Sequence, residues 1–93
     1  MIAATTVLRR ASDVRHRLLR PEAVVIRQAV PEVLVLNDVG GELLDRIDAR
    51  TSVAGLLDQV APLFDVDRET LERDALRFLE ELLATGVLEV VAA

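Results

Sequence analysis

The side chains that could do chemistry are few in this sequence, and they are not grouped. The chain contains one histidine, His16, two serines and no cysteine. Nucleophilic catalysis needs a nucleophile, a base and a third group that orients the base. His16 stands between two arginines, with no such set near it in the sequence. We therefore predict no catalytic residue, and we expect that the chain is not an enzyme.

Carboxylates are more numerous, but their spacing does not predict a metal site. Asp65 and Asp67 alternate like the first ligands of a calcium-binding loop. Thr70 and Leu76 then stand where such a loop requires a glycine and a bidentate glutamate. The other acids are spaced in a way that suits ion pairs with arginine on helix surfaces. We expect no bound metal and no cofactor.

Charge divides the chain into two halves. Residues 1–36 carry six arginines and three acids, a net charge of +3, and residues 37–93 carry five arginines and thirteen acids, a net charge of −8. Residues 68–81, the best candidate for a long helix, hold three arginines and five acids, a net charge of −2. That sign is unfavourable for a helix that must approach phosphates. We expect no nucleic-acid partner, with a winged-helix DNA-binding regulator as an alternative function.

The composition is typical of one aliphatic domain and is compatible with a reducing compartment. A chain of 93 residues suits a single core, and its only aromatic residues are Phe64 and Phe78. The lack of cysteine is compatible with a cytoplasmic location. No uninterrupted apolar run approaches the roughly 18 to 20 residues that span a bilayer, and residues 1–8 lack the basic start of a secretory signal. We expect a soluble, cytoplasmic protein with no membrane partner.

Hydrophobic patterns predict three short strands followed by three helices. Residues 14–19 alternate polar and apolar side chains, and residues 23–28 and 33–36 are β-branched runs separated by four residues, as in a hairpin. The helices should begin at Asn37-Asp38, at Thr51-Ser52 and after Asp67, because these residues cap helices well.

The ends of these elements are predicted from breakers and from apolar spacing. The three helices should reach about Ala49, Phe64 and Thr85, with Gly86 ending the last one. Residues 87–91 either add a strand or pack onto the domain. Residues 1–13 are expected to form an N-terminal extension, flexible or exchanged with a second copy, before a domain at 14–91.

Two places carry more apolar surface than one packed face needs. In the strand at 33–36, Val33 and Val35 point to one side while Leu34 and Leu36 point to the other. On the third helix, leucines outside the core stripe widen its apolar arc. If the strand lies at a sheet edge, it can accept the backbone of a peptide. Self-association of two copies, including strand exchange, is the alternative.

The order of these features over residues 14–91 resembles the PqqD-like family, also called the precursor-peptide recognition element. The matching segments are Val33-Leu34-Val35-Leu36-Asn37 followed by Gly40, the stretch Asp48-Ala49-Arg50-Thr51-Ser52-Val53, Phe64-Asp65-Val66-Asp67, and the long third helix through Leu88. The resemblance implies an α+β, winged-helix-like domain with a small three-stranded antiparallel sheet followed by a three-helix bundle. It also implies a leader peptide that adds to the third strand and lies against the third helix.

The resemblance predicts the function and its partners. The chain would be a non-catalytic peptide chaperone that binds the leader of a ribosomally made precursor and presents it to a modifying enzyme, often of the radical S-adenosylmethionine type. The product is left open between pyrroloquinoline quinone and another peptide product, such as a lasso peptide. A homodimer, or a purely structural homodimerisation module, also remains open. Carried onto this sequence, the strand edge would comprise Val33, Leu34, Val35 and Leu36. The helix wall, which we infer from the helical wheel, would comprise Arg73, Leu76, Arg77, Glu80 and Leu83.

Overall fold

The computed structural model describes residues 2–93 as five strands and three helices. The strands are β1 (Val7–Arg10), β2 (Val14–Leu18), β3 (Ala23–Arg27), β4 (Glu32–Leu36) and β5 (Leu88–Ala92). The helices are α1 (Asp38–Arg46), α2 (Val53–Val60), which runs into a 3₁₀ turn at Ala61–Leu63, and α3 (Arg68–Ala84). The predicted winged-helix-like α+β architecture, a three-stranded antiparallel sheet followed by three helices, is confirmed.

The three-stranded sheet has the order β2-β3-β4 and one buried face. Ala23 and Val25 on its central strand are fully buried, and their partners on β4 are Leu36 and Leu34. The opposite face is exposed, and Ile26, Val33 and Val35 all lie on it. Alternation of side chains along each strand separates these two faces. The sheet therefore covers the helices on one side and leaves apolar side chains exposed on the other.

A second, two-stranded sheet joins the two ends of the chain. β1 pairs antiparallel with β5. Of the two alternatives that the sequence left open for residues 87–91, the structure therefore shows the added strand. Leu8 on β1 is only 1% exposed. Just before β1, the carbonyl of Thr6 accepts a hydrogen bond from the N–H of Val53 at 2.8 Å. Residues 2–13 thus pack on their own chain in this structure, while strand exchange between two copies stays a prediction.

Helix α1 ends at Arg46, three residues before the predicted Ala49. The side chain of Asp48 accepts hydrogen bonds from the N–H groups of Arg50 and Thr51 at 2.9 and 2.8 Å. Such local bonds compete with continued helix. Ala49 accordingly takes a positive φ of 65°. The predicted helix was too long because the apolar spacing of the sequence continues past the point where the backbone turns.

Helix α2 and helix α3 begin where predicted, and only α2 ends early. Ser52 and Asp67 accept N-cap bonds from Gly55 N and Thr70 N at 3.2 and 2.8 Å. Pro62 lacks the N–H that would continue α2, so the chain tightens into the 3₁₀ turn. Gly86 follows α3 with φ 82°, a left-handed conformation that glycine adopts without strain. Helix α3 is therefore a long helix of 17 residues with a defined start and end.

The core is aliphatic, as the composition predicts. Among residues 2–93, none of the helices is long and apolar enough to cross a membrane. Helix α1 approaches the sheet closely at Gly41, where a Cβ would lie 2.9 Å from the Cβ of Ala23. The large side chains that are fully buried are Leu8, Leu43, Leu44, Leu56, Leu71, Leu79, Leu88, Val25, Val53, Val60 and Val87.

Candidate functional site

Strand β4 forms an open edge of the three-stranded sheet. It pairs with β3 on one side, and within residues 2–93 no strand pairs with its other side. An open edge offers unpaired backbone N–H and C=O groups, which can hydrogen-bond to the backbone of another chain. The edge thus has the property that the sequence predicts for a peptide-binding strand.

The hydrogen bonds at the ends of the β2–β3 pairing show whether the backbone groups of each β3 residue bond to β2 or to β4. The N–H of Gln28 donates to the carbonyl of Asp13 at 3.0 Å, and the N–H of Leu19 donates to the carbonyl of Glu22 at 2.8 Å. Bonded and non-bonded pairs alternate along an antiparallel ladder. Even-numbered residues of β3 therefore bond to β2, and odd-numbered residues bond to β4.

The same alternation identifies the free groups on β4. Ala23 and Val25 bond to β4, and Val25 is the register partner of Leu34. The backbone N–H and C=O groups of Leu34 consequently hydrogen-bond to β3. The neighbouring residues Val33 and Val35 direct their N–H and C=O groups to the open side. Their side chains are 64% and 65% exposed on the outer face.

Helix α3 runs beside this edge and leaves a groove between the two elements. Two adjoining depressions of about 420 Å³ each make up this groove. One lies between Leu34 on β4 and Leu82 and Thr85 near the end of α3. The other lies between the start of α1 and the middle of α3. Both depressions share the same three residues, Asn37, Phe78 and Glu81.

The start of α1 shapes the middle of the groove. The side chain of Asn37 caps α1 by accepting a hydrogen bond from Gly40 N at 2.8 Å, which holds Asn37 at the end of β4. Phe78 on α3 packs against Gly40, where a Cβ would lie 2.7 Å from the ring. A glycine at this position lets the ring lie between α1 and α3. Phe78 therefore forms a fixed apolar wall in the groove.

The charged side chains of the groove come from α3. Asp74 and Arg77 form a loose ion pair, with oxygen and nitrogen 3.5 Å apart. Glu81 makes neither an ion pair nor a side-chain hydrogen bond with residues 2–93. The groove lining thus holds two carboxylates and one guanidinium, a net charge of −1.

Comparison with known proteins identifies the family to which this fold and groove belong. The family model described as coenzyme PQQ synthesis protein D (PqqD) matches residues 16–88. The chain belongs to the PqqD family. The PqqA binding protein of Gluconobacter oxydans (strain 621H) is 32% identical over 88 residues, which cover 95% of this chain and 92% of that protein.

A solved structure extends the likeness to three dimensions. TbiB1, solved in complex with the TbiA(beta) leader peptide, matches with a TM-score of 0.77 at 24% sequence identity. The match covers 91% of this chain and 99% of that chain. It shows that the PqqD fold is shared between them.

In this PqqD-family chain, the predicted edge residues divide between the two sides of β4. Val33 and Val35 are exposed, whereas Leu34 is half-buried and Leu36 is buried. Leu34, Val35 and Leu36 all line the groove. The structure thus brings the predicted edge to the groove, with different roles for alternate residues.

The predicted helix wall is brought there only in part. Arg77 lines the groove. Glu80 lies on the other flank of α3, where its carboxylate accepts a hydrogen bond from Ile2 N at 2.7 Å. Leu76 also faces the N-terminal segment and α2, and Arg73 lies with it in a separate depression. Leu83 is half-buried against the core.

Sequence reasoning missed Phe78, Glu81 and Leu82 as groove residues. Phe78 and Leu82 belong to the core stripe of the helical wheel, and the leucines that widen this stripe, Leu76 and Leu83, lie on one side of it. The wheel alone does not tell which flank faces β4. The N-terminal segment covers one flank through Ile2, and this leaves the other flank to the groove.

His16 and the carboxylates outside the groove were considered as possible reactive or metal-ligating groups in the sequence. His16 Nε2 lies 3.0 Å from one carboxylate oxygen of Asp45. Over the part of the chain that the structure describes, no three His, Cys, Asp or Glu side chains are grouped closely enough to hold a metal ion.

Proposed function

We propose that this chain binds the leader segment of a ribosomally made precursor peptide as an additional strand on β4. The observation that carries the proposal is the open edge of β4, which faces the groove beside α3 in a member of the PqqD family. Two similar proteins support it, because one is a PqqA binding protein and the other was solved in complex with a leader peptide. Family membership likewise favours a peptide over DNA as the ligand.

The backbone of the edge would supply most of the affinity. Val33 and Val35 each offer one N–H donor and one C=O acceptor to the guest strand. A backbone hydrogen bond of this kind contributes about 0.5 to 1.5 kcal/mol net. Four such bonds do not depend on the guest sequence, so they provide affinity without selectivity.

The groove would supply the selectivity. Side chains of adjacent strands that lie side by side point to the same face of a sheet. Guest side chains beside Leu34 and Leu36 would therefore enter the groove, where Phe78 and Leu82 contact them. We propose Val33, Val35, Phe78, Glu81 and Leu82 as the principal peptide contacts, with Leu34, Leu36 and Arg77 beside them.

The proposed role needs no chemistry in this chain. A modifying enzyme, for example of the radical S-adenosylmethionine type, would act on the core of the precursor while its leader is held here. Holding the leader converts a bimolecular encounter into an intramolecular one at a higher effective concentration. In this proposal the chain is not an enzyme, and it works in the cytoplasm, where a ribosomally made precursor first appears.

Calorimetry with a panel of synthetic leader peptides tests the proposal. The panel includes PqqA and the TbiA(beta) leader, each titrated into this chain and into its Val35→Pro variant. We expect at least one peptide to bind with a Kd in the micromolar range or below, and Val35→Pro to weaken it at least about tenfold. Failure of the whole panel, or equal binding to both proteins, would contradict the proposal.

A second candidate is self-association through the same edge. Val33 and Val35 expose apolar side chains beside unpaired backbone groups, which favours pairing of two β4 strands. Light scattering after size-exclusion chromatography would detect this dimer. If the dimer uses the edge, it should dissociate in Val35→Pro and when peptide is added.

A further inference from the structure

The groove has an apolar end and a charged end. Near Leu34, its α3 side is formed by Leu82 and Thr85. Toward the start of α1, its α3 side is formed by Asp74 and Arg77. The chain direction of β4 therefore runs opposite to that of α3 along the groove. Phe78 and Glu81 lie between the two ends, because they line both depressions.

Glu81 is the carboxylate in this groove that has no ionic partner within residues 2–93. Asp74 already lies 3.5 Å from Arg77, so that guanidinium is partly neutralised. The adjacent acid Glu80 points to the opposite flank and bonds to Ile2 N. A negative charge beside an apolar wall is thus presented to whatever occupies the groove.

The geometry of an added strand fixes the spacing at which a guest would meet these features. Alternate guest residues face the groove, and they lie about 6.6 Å apart along the strand. Because β4 and α3 run in opposite directions along the groove, we expect the groove-facing position beside Leu34 to lie nearer Leu82. We expect the next groove-facing position, beside Leu36, to lie nearer Phe78 and Glu81, which line the middle of the groove.

We propose that this groove selects leader peptides that carry an apolar residue and a lysine or arginine two positions apart. The inference rests on the proposed strand addition at β4. The apolar side chain packs between Leu34 and Leu82, and the cation pairs with the carboxylate of Glu81. The aliphatic stem of the same basic residue lies against Phe78.

A display library of random decapeptides, selected on the immobilised chain, tests this inference. Clones that also bind the Val35→Pro variant are removed first, so that the remaining peptides depend on the edge. We expect those peptides to be enriched in the pattern apolar-x-basic or basic-x-apolar. A parallel selection on Glu81→Lys should replace the basic residue by aspartate or glutamate at the same position.

Individual peptides then provide the quantitative test. Glu81→Lys should weaken a selected lysine peptide about three- to tenfold, because an exposed ion pair becomes a repulsion. The same peptide with Lys→Glu should recover its affinity on Glu81→Lys. Glu72→Lys is the matched control, since Glu72 is an exposed acid on α3 that lines other depressions. It should leave both affinities within about twofold.

The outcomes separate the inference from the function on which it rests. If no edge-dependent peptide is recovered, the proposed function itself fails. If edge-dependent peptides are recovered without a basic preference, or with one that Glu81→Lys leaves unchanged, strand addition stands and the selection by Glu81 is overturned. An effect of Glu72→Lys as large as that of Glu81→Lys would show that only the net charge of the chain matters, and would also overturn it.

Discussion

The ring of Phe78 on α3 lies against Gly40 on α1, so closely that a Cβ at position 40 would stand 2.7 Å from two of its ring carbons. This contact connects a helix of the core with the groove beside β4. Gly40 follows the Asn37 cap by three residues, so the cap, the close approach and the ring position are coupled. The shape of the groove therefore depends on a glycine that belongs to α1 and not to the open edge.

Replacement of Gly40 by alanine should displace the Phe78 ring. Overpacking of this kind costs about 1 to 3 kcal/mol, of which better helix propensity returns up to about 1 kcal/mol. We expect a lower urea midpoint and, at protein concentrations where the chain remains folded, weaker peptide binding in calorimetry. Gly55→Ala in α2 is the control, because an added Cβ would meet the methyl group of Thr51, and neither residue lines the groove. Unchanged peptide affinity in Gly40→Ala would show that the ring position does not matter for binding.

Proline substitutions on β4 should separate binding from folding. Val35→Pro removes a donor on the open side, and proline is tolerated at such positions of edge strands. Its urea midpoint should change little, while peptide binding is lost. Leu34→Pro removes a donor that bonds to β3 and a half-buried side chain, and so should destabilise the domain by about 3 kcal/mol or more. Similar unfolding by both variants would contradict the assignment of bonding directions along β4.

Acid should destabilise the fold through Glu42. This side chain is 8% exposed, and its pKa is held below the usual 4.5 mainly by the hydrogen bond from Arg46, with a further bond from Arg20 opposing the effect of burial. A lowered pKa in the folded state means that the stabilisation is present above pH 4.5 and is lost as the pH falls through the folded-state pKa.

The Glu42→Gln variant checks this interpretation. At pH 7 it should be less stable by about 1 to 3 kcal/mol, because charged hydrogen bonds to both arginines are lost. Between pH 7 and pH 3.5, its urea midpoint should then fall less than that of the parent chain. The exposed Glu22→Gln change serves as the control and should keep the parent's acid sensitivity. Equal acid sensitivity in Glu42→Gln and the parent would assign the effect to other carboxylates.

Arg10 should contribute more to stability than its neighbour Arg9. One Nη of Arg10 donates to the carbonyls of Leu44 and Ile47 at 2.9 and 2.8 Å, which satisfies the C-terminal end of α1. Within residues 2–93, the side chain of Arg9 forms a single exposed ion pair, with Glu89. Arg10→Met should cost about 1 to 3 kcal/mol and Arg9→Met at most about 1 kcal/mol. Thermal unfolding that ranks the two variants equally would show that the cap is not formed in solution.

The sequence predicts the three-stranded sheet and the helix starts well because local signals specify them. The hairpin at 23–36 alternates β-branched residues around a short connection, and each helix begins at a side chain that accepts an N-cap bond. The end of α1 is set instead by a turn at Asp48 and by Arg10 from a distant strand. Contacts between residues so far apart leave no local pattern.

The residues of the candidate site were likewise predictable only where a local sequence pattern marks them. The edge at 33–36 could be recognised because its side chains are apolar on both faces. The helix wall could not, because on a wheel Phe78 belongs to the core stripe while Leu76 widens that stripe on one side, so the wheel points to the Leu76 side. Only the N-terminal segment distinguishes them, since Ile2 lies near Leu76 and leaves the Phe78 side open.

Amide hydrogen exchange measured by NMR, with and without the tightest-binding leader peptide of the panel, tests strand addition most directly. In the free chain, the N–H of Leu34 should exchange slowly because it bonds to β3, and those of Val33 and Val35 should exchange fast. Saturating peptide should slow exchange at Val33 and Val35 by at least about tenfold. Peptide that binds while both of these amides continue to exchange at their free rates would contradict the account.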